Sequence, residues 1–298
     1  MKKTIIHIGY PKTATTWFIN RFYPKVKNAD VIYYNDISFE LSNNKEYFTI
    51  ASNKEQNKKE QQIVATHIFS GLVNGCWKNG EYRPFFLKHL KCLFPEATII
   101  LFIRNQLEFI PSLYSSYLKR GCTFKINKLF NTESVTNNNT IHFDFLNYPK
   151  LIRLYQEQFG KENVHVYVYE ELLENNKLFL QKYITKYGFD IDINELSFTK
   201  SNEKLRSGLA SFVRHTNKLI SRGPSPKDNI MNLPFIYSLI NKNIDKLNKF
   251  SIWGKKINSD KLLGEKFASE IWEYYKESNN ELINNFEIES IKKYGYPL

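Results

Sequence analysis

Residues 4–17 read TIIHIGYPKTATTW. Residues 4–9 form a short apolar run that ends in Gly, with Tyr and Pro next, the pattern of a buried strand. Over residues 13–23, Trp17, Phe18, Arg21 and Phe22 recur at helical spacing. Strand, tight turn and helix are the opening unit of a parallel α/β sheet. The turn itself suits an anion. Backbone N–H groups at a helix start have no partner within the helix, and the helix dipole leaves partial positive charge there. Lys12 adds a full, mobile charge. Thr13, Thr15 and Thr16 add hydroxyl donors, and Ala14 is small enough for close backbone approach. The pattern is not a Walker loop, which needs a Gly directly before the Lys; Pro11 stands there instead.

The alternation continues downstream. Strands are predicted at 62–68, 97–103 and 164–169, and helices at 82–94, 106–120, 148–159 and 173–187. The stretch 97–103 (ATIILFI) is continuously apolar and β-branched, as a strand covered on both faces must be. The polar stretch 35–62 reads as loop and short helix. After residue 188 the pattern turns helical, with helices predicted at 205–220 and 265–279. No internal repeat or linker composition interrupts the chain. The expected architecture is α/β, a central parallel sheet flanked by helices, with a helical C-terminal region and a single domain over 1–298.

Two further features fall at strand ends. Arg104 closes the clearest strand, and Ser112 follows in the next helix. In open α/β sheets, ligands sit at the carboxyl ends of strands. Arginine offers a planar fork for phosphate oxygens, although at a strand end it also makes structural ion pairs. His67 ends the second predicted strand, in VATH, at the same edge. Its ordinary pKa suits a general base, and a satisfied structural histidine is the competing role. Of the other histidines, His7 and His165 lie within strands and read as core or sheet-face residues, and His89, His142 and His215 have no supporting spacing.

Residues 9–17 resemble the 5′-phosphosulfate loop of sulfotransferases that use 3′-phosphoadenosine 5′-phosphosulfate (PAPS), whose common form is P-K-[ST]-G-T-T-W. Ala14 stands where that family usually has Gly. Residues 101–114 (LFIRNQLEFIPSLY) resemble the family's 3′-phosphate segment, with Gln106 in place of the usual Pro. His67 resembles the histidine of the family's K-T-H, Ala65 replacing the Lys. Residues 17–29 contain no carboxylate, which disfavours the helix-borne Glu of heparan-type branches. Residues 166–172 resemble the family's Y-E-[DE]-L strand end, and 279–282 and 294–297 resemble bacterial tails. The resemblance implies a P-loop-like three-layer fold and a PAPS donor, with adenosine 3′,5′-bisphosphate (PAP) as product. It implies that Pro11, Lys12, Thr13, Ala14, Thr15, Thr16 and Trp17 hold the 5′ end, and that Arg104 and Ser112 hold the 3′-phosphate. Lys12 would support the leaving group and His67 would take the acceptor's proton. Trp17 matches the adenine-stacking position, with a core role as the alternative. The family's C-terminal R-K-G string is missing, and Lys204 or Arg206 is the substitute to consider.

The chain has 298 residues and a formal charge of +12, from 42 Lys and Arg against 30 Asp and Glu. That balance favours anionic partners. The lysines are spread along the chain rather than gathered in a tail, so no nucleic acid is expected. The 3 cysteines, Cys76, Cys92 and Cys122, form no C-x-x-C pair, which argues against a disulfide framework and against zinc. No metal is expected. No cleavable leader or membrane-length apolar run is read, so a soluble, cytoplasmic protein is expected. The acceptor would be a hydroxyl or amine, on a glycan or small metabolite. The competing functions are a P-loop-like nucleotide kinase and a non-catalytic anion-binding protein.

Overall fold

The structure is a computed structural model that describes residues 2–32, 37–42, 45–50, 59–66, 68–71, 79–132, 140–198, 205–219, 234–254 and 259–298. It divides into two compact units. The first comprises Met1–Gly71, Glu81–Arg104 and Tyr148–Thr199. The second comprises Leu72–Gly80, Asn105–Asn147 and Lys200–Leu298.

In the first unit, strand β1 (Lys3–His7) leads through a turn into helix α1 (Thr15–Trp17). The helix widens into a π-helical turn, Phe18–Phe22, and closes as a 3₁₀ turn, Tyr23–Lys25. Then come β2 (Ala29–Ile32), a hairpin of β3 (Ile37–Ser42) and β4 (Lys45–Ile50), β5 (Gln61–Ala65), α2 (Arg83–Leu93) and β6 (Thr98–Ile103). The second unit interposes α3 (Gln106–Lys119), α4 (Ile126–Leu129), β7 (Phe130–Asn131) and β8 (Ile141–His142). The chain returns to the first unit with α5 (Tyr148–Phe159), β9 (Val164–Val168), α6 (Tyr169–Glu174) and α7 (Asn176–Tyr187). It finishes in the second unit with α8 (Ser207–Thr216), α9 (Pro234–Leu247) and α10 (Ser259–Phe286).

The main sheet has 5 strands in the order β2-β5-β1-β6-β9, every pair parallel. Register is set by pairs such as Ile5↔Ile63, Ile6↔Ile99 and Ile100↔His165. Ile99 to Ile103 of β6 are fully buried, which the continuous apolar run required. On one face, Phe18, Phe22, Tyr23, Tyr183 and Tyr187 pack on Ile5, Ile63, Ile100 and Phe102. Helix α5 packs on β6 and β9, and α2 packs on α5. Helices therefore flank a parallel sheet, the P-loop-like α/β arrangement. The order of strands reverses between β1 and β6, so the sheet's topological switch point lies there.

Three differences from the sequence expectation have physical causes. The stretch expected as loop and short helix contains the antiparallel pair β3·β4, with Phe39 opposite Phe48. Ile37, Phe39 and Leu41 alternate with Ser38, Glu40 and Ser42, a strand signal submerged in Asn and Lys. The helix predicted at 173–187 is two helices. Asn175 ends the first and caps the second, its side chain accepting from Leu178 N at 3.0 Å. The last predicted helix is longer, and Gly264 breaks its helical geometry with φ 70°.

In the second unit, α3 packs against α8 and α10. Gln106 opens α3 fully buried, and its amide exchanges two hydrogen bonds with that of Asn279, at 2.9 and 3.1 Å. The polar residue that opens α3 thus has a buried partner. Among the described residues, no helix is long and apolar enough to cross a membrane.

Candidate functional site

The turn after β1 is tightly built. Ile8 N still donates to Ile100 O of β6 at 2.8 Å. The chain then doubles back so closely that a Cβ on Gly9 would stand 2.1 Å from Thr15 Oγ1. Only glycine fits there. Thr13 Oγ1 and Thr15 Oγ1 both donate to the Tyr10 carbonyl, Thr15 at the longer distance of 3.3 Å. Lys12 and Ala14 adopt left-handed backbone, φ 70° and 63°. Each costs a non-glycine residue about 1–2 kcal/mol. Such strain persists only where its surroundings over-determine it. Here Trp17 N and Phe18 N donate to Ala14 O at 2.8 and 3.0 Å. Backbone with left-handed positions of this kind turns successive N–H groups into one concavity, a geometry suited to anions.

Arg104 follows β6 directly and is 9% exposed. Its Nη1 donates to the carbonyl of Lys12 at 2.9 Å. Its guanidinium lies 4.9 Å from the ring centre of Tyr169, which follows β9. The Arg104 carbonyl in turn accepts from the Tyr148 hydroxyl. Burial holds that phenol, and less strongly the Tyr169 phenol, above the ordinary tyrosine pKa, so both stay protonated. The carboxyl ends of three neighbouring strands, β1, β6 and β9, therefore meet at Arg104, beside the switch point. Lys12 and Arg104 share one locality.

The other predicted residues are placed as follows. His67 lies outside the described residues. Before it, Thr66 N donates to the His7 carbonyl at 3.1 Å. After it, Phe69 O accepts from the Tyr155 hydroxyl at 2.9 Å, and Ser70 O accepts from Arg83 Nε at 2.8 Å. Arg83 Nη2 also donates to the Tyr10 hydroxyl at 3.1 Å, so one buried guanidinium links the segment after His67 to the Lys12 turn. Ser112 is buried in α3, in the second unit. Pro11 sits in the turn, half-buried, and Thr16 is exposed. Trp17 is 7% exposed within the apolar cluster. Its Nε1 donates to Ser197 O at 3.0 Å and its ring meets Phe198 edge-on at 4.8 Å. Of the C-terminal alternatives, Lys204 lies outside the described residues. Arg206, in the second unit, donates to Asn248 O at 2.8 Å and to Gly254 O at 2.6 Å.

Sequence reading had passed over Tyr10, Arg83, Tyr148 and Tyr169. Tyr169 was accessible to the strand-end rule that singled out Arg104. Arg83 carried no signal, because a basic residue opening a helix beside a proline is ordinary surface chemistry.

No family model matches the sequence, and no curated protein matches it either. Solved structures do. The mouse sulfotransferase SULT7A1 complexed with PAP aligns over 99% of this chain and 88% of its own, with TM-score 0.50 and 15% identity. A sulfotransferase from Alicyclobacillus acidocaldarius aligns over 86% of this chain and 100% of its own, with TM-score 0.48 and 12% identity. At such identity the mouse structure shows a shared fold, and function has to be argued from the site.

Proposed function

We propose that this chain is a sulfotransferase that moves a sulfuryl group from PAPS to an acceptor hydroxyl or amine. One observation carries the reading. The basic turn after β1 and the arginine after β6 are joined by the Arg104–Lys12 hydrogen bond at the sheet's switch point. An arginine guanidinium bonded to the backbone of a lysine-bearing turn suits a substrate with phosphate groups at two ends. The fold shared with a PAP-bound sulfotransferase supports the same choice.

In this reading PAPS is a substrate. The backbone of residues 11–16, Thr13 included, with the Thr15 and Thr16 hydroxyls, binds its 5′-phosphosulfate. Arg104 and Ser112 bind the 3′-phosphate. Trp17, through the edge of its ring, borders the adenine. His67 takes the proton of the attacking acceptor group. The acceptor oxygen or nitrogen bonds to sulfur as the bond from sulfur to the bridging oxygen breaks. That oxygen leaves with the electron pair on the 5′-phosphate of PAP, and Lys12 offsets its charge. The acceptor is a hydroxyl or amine on a glycan or small metabolite.

Titration calorimetry in EDTA tests the reading. Adenosine 3′,5′-bisphosphate is expected to bind about tenfold or more tightly than adenosine 5′-monophosphate, since a second charged phosphate is recognised. Equal affinity for the two, or binding that requires magnesium, overturns the reading and revives a nucleotide kinase. Lys12→Ala is expected to lower PAP release from PAPS by on the order of 100-fold. Undiminished release rules out its role at the leaving group.

A further inference from the structure

We propose that His7 is a positioning residue beneath the turn, a neutral imidazole that carries its proton on Nε2 and orients the Thr15 hydroxyl toward the donor's 5′-phosphosulfate. The ligand in this proposal rests on the function argued above.

His7 is fully buried in β1. Its ring stacks on Phe102 with centres 5.2 Å apart and meets Phe18 edge-on at 5.1 Å, so its orientation is fixed. Nδ1 lies 2.7 Å from the Tyr23 hydroxyl, and that hydroxyl lies 2.8 Å from the Tyr183 hydroxyl. Nε2 is buried with no hydrogen-bond partner. It faces Gly9. A Cβ on Gly9 would stand 2.9 Å from His7 Nε2, 2.1 Å from Thr15 Oγ1 and 3.1 Å from Thr13 Oγ1. An imidazole nitrogen and two threonine hydroxyls therefore converge on the one residue that lacks a side chain.

Counting protons assigns the tautomer. Burial keeps both phenols protonated, and it holds the imidazole neutral. If Tyr183 donates to Tyr23 and Tyr23 donates to Nδ1, both phenolic protons are used and one donor remains, Nε2–H. The opposite order strands the Tyr183 O–H, and its Nε2 lone pair would have to draw the Thr15 proton away from the Tyr10 carbonyl. A buried polar group without a partner is costly, so the first order is favoured. The remaining Nε2–H then needs an acceptor on the side of Gly9. Thr15 Oγ1, which converges with Nε2 at Gly9 without being hydrogen-bonded to it in this structure, is the acceptor a small turn of the hydroxyl would supply. The Thr15 proton now goes to a Tyr10 carbonyl that the Thr13 hydroxyl already serves. Supported from below by Nε2–H, the Thr15 hydroxyl can turn its proton to a phosphosulfate oxygen. An apolar residue of similar shape at position 7 would pack as well in this aromatic cluster, yet it would leave the Thr15 oxygen only the long 3.4 Å contact with the Thr13 hydroxyl.

The test combines two measurements. Long-range ¹H–¹⁵N spectra of the wild-type protein at pH 7 are expected to show His7 as the neutral Nε2–H form; the Nδ1–H form overturns the proposal. Calorimetry then compares adenosine 3′,5′-bisphosphate with adenosine 3′-monophosphate, which lacks the 5′ group. His7→Leu is expected to lose about tenfold affinity for the bisphosphate and little for the 3′-monophosphate, and His7→Gln, which retains an N–H, to recover most of the loss. Tyr23→Phe, which frees Nδ1, is expected to give a smaller loss in the same direction. It stands in if His7→Leu does not fold. An unchanged ratio of the two affinities in every variant overturns the proposal while the donor-site reading stands. A wild type that binds neither nucleotide overturns the donor-site reading instead.

Discussion

At Gly9 the chain has room for a hydrogen and for little else, because Thr15 Oγ1 occupies the place of a methyl. Gly9→Ala must displace a buried threonine on which the turn is built. A loss of about 1–3 kcal/mol is expected, read from urea unfolding, together with weaker binding of adenosine 3′,5′-bisphosphate. Ala14 presents the opposite case. Its φ of 63° suits glycine, so Ala14→Gly is expected to stabilise the protein by about 1 kcal/mol in the same assay. His7 adds a pH dependence. Burial lowers its pKa from 6.5 to about 3, so the unfolded chain binds more protons than the folded one between those values. Stability is then complete above pH 6.5 and falls as the solution is acidified, by about 1.4 kcal/mol per pH unit from this group. Half-buried His165 is shifted in the same direction. The difference in slope between wild type and His7→Gln isolates the His7 contribution. Lys12 and Arg104 were legible because charge at a strand end is a local pattern. His7 was not, since Tyr183 lies 160 residues beyond Tyr23 and only folding brings the two hydroxyls together.

At the scale of elements, β6 could be read directly. A strand buried on both faces has no polar alternation to disguise it, and Ile99 to Ile103 are all inaccessible. The hairpin of β3 and β4 was missed because the run after it, residues 51–62, is dominated by Asn, Lys, Gln and Glu and made the whole stretch read as polar, although the hairpin's alternation is that of a strand. Helix α3 shows how one substitution is matched elsewhere. Gln106 stands where a proline was expected, and Asn279 of α10 meets its amide. Gln106→Ala should leave the Asn279 amide short of a buried partner and cost about 1–3 kcal/mol. The double variant with Asn279→Ala should cost less than the sum of the two single variants, because each alone strands the other amide. Additive losses by urea unfolding would show that the pair is not coupled.

Over the whole molecule the charge is +12, and the lysine-bearing turn after β1 meets the Arg104 guanidinium at the switch point. If phosphate recognition is electrostatic, affinity for adenosine 3′,5′-bisphosphate should fall steadily as KCl is raised, since salt screens exposed charge. Adenosine, which has no phosphate, should not respond. A salt-independent affinity would place the binding energy in the base and sugar. The division into two compact units cuts the chain directly after Arg104, between the arginine and the helix that carries Ser112. Sequence reading, which found no linker composition, had no means of locating that cut.

The sequence alone determined the repeating strand–turn–helix order, the buried parallel strands and the basic turn after β1. All of these depend on neighbours within a few residues, where hydrophobic period and turn chemistry act. Tertiary structure decided the strand order β2-β5-β1-β6-β9, and with it the meeting of Arg104 with the Lys12 carbonyl. It also decided the left-handed cost at Ala14 and the buried Tyr183–Tyr23–His7 series. Those features arise from contacts between segments far apart in the chain, and composition and spacing carry no record of which distant groups will share a buried space.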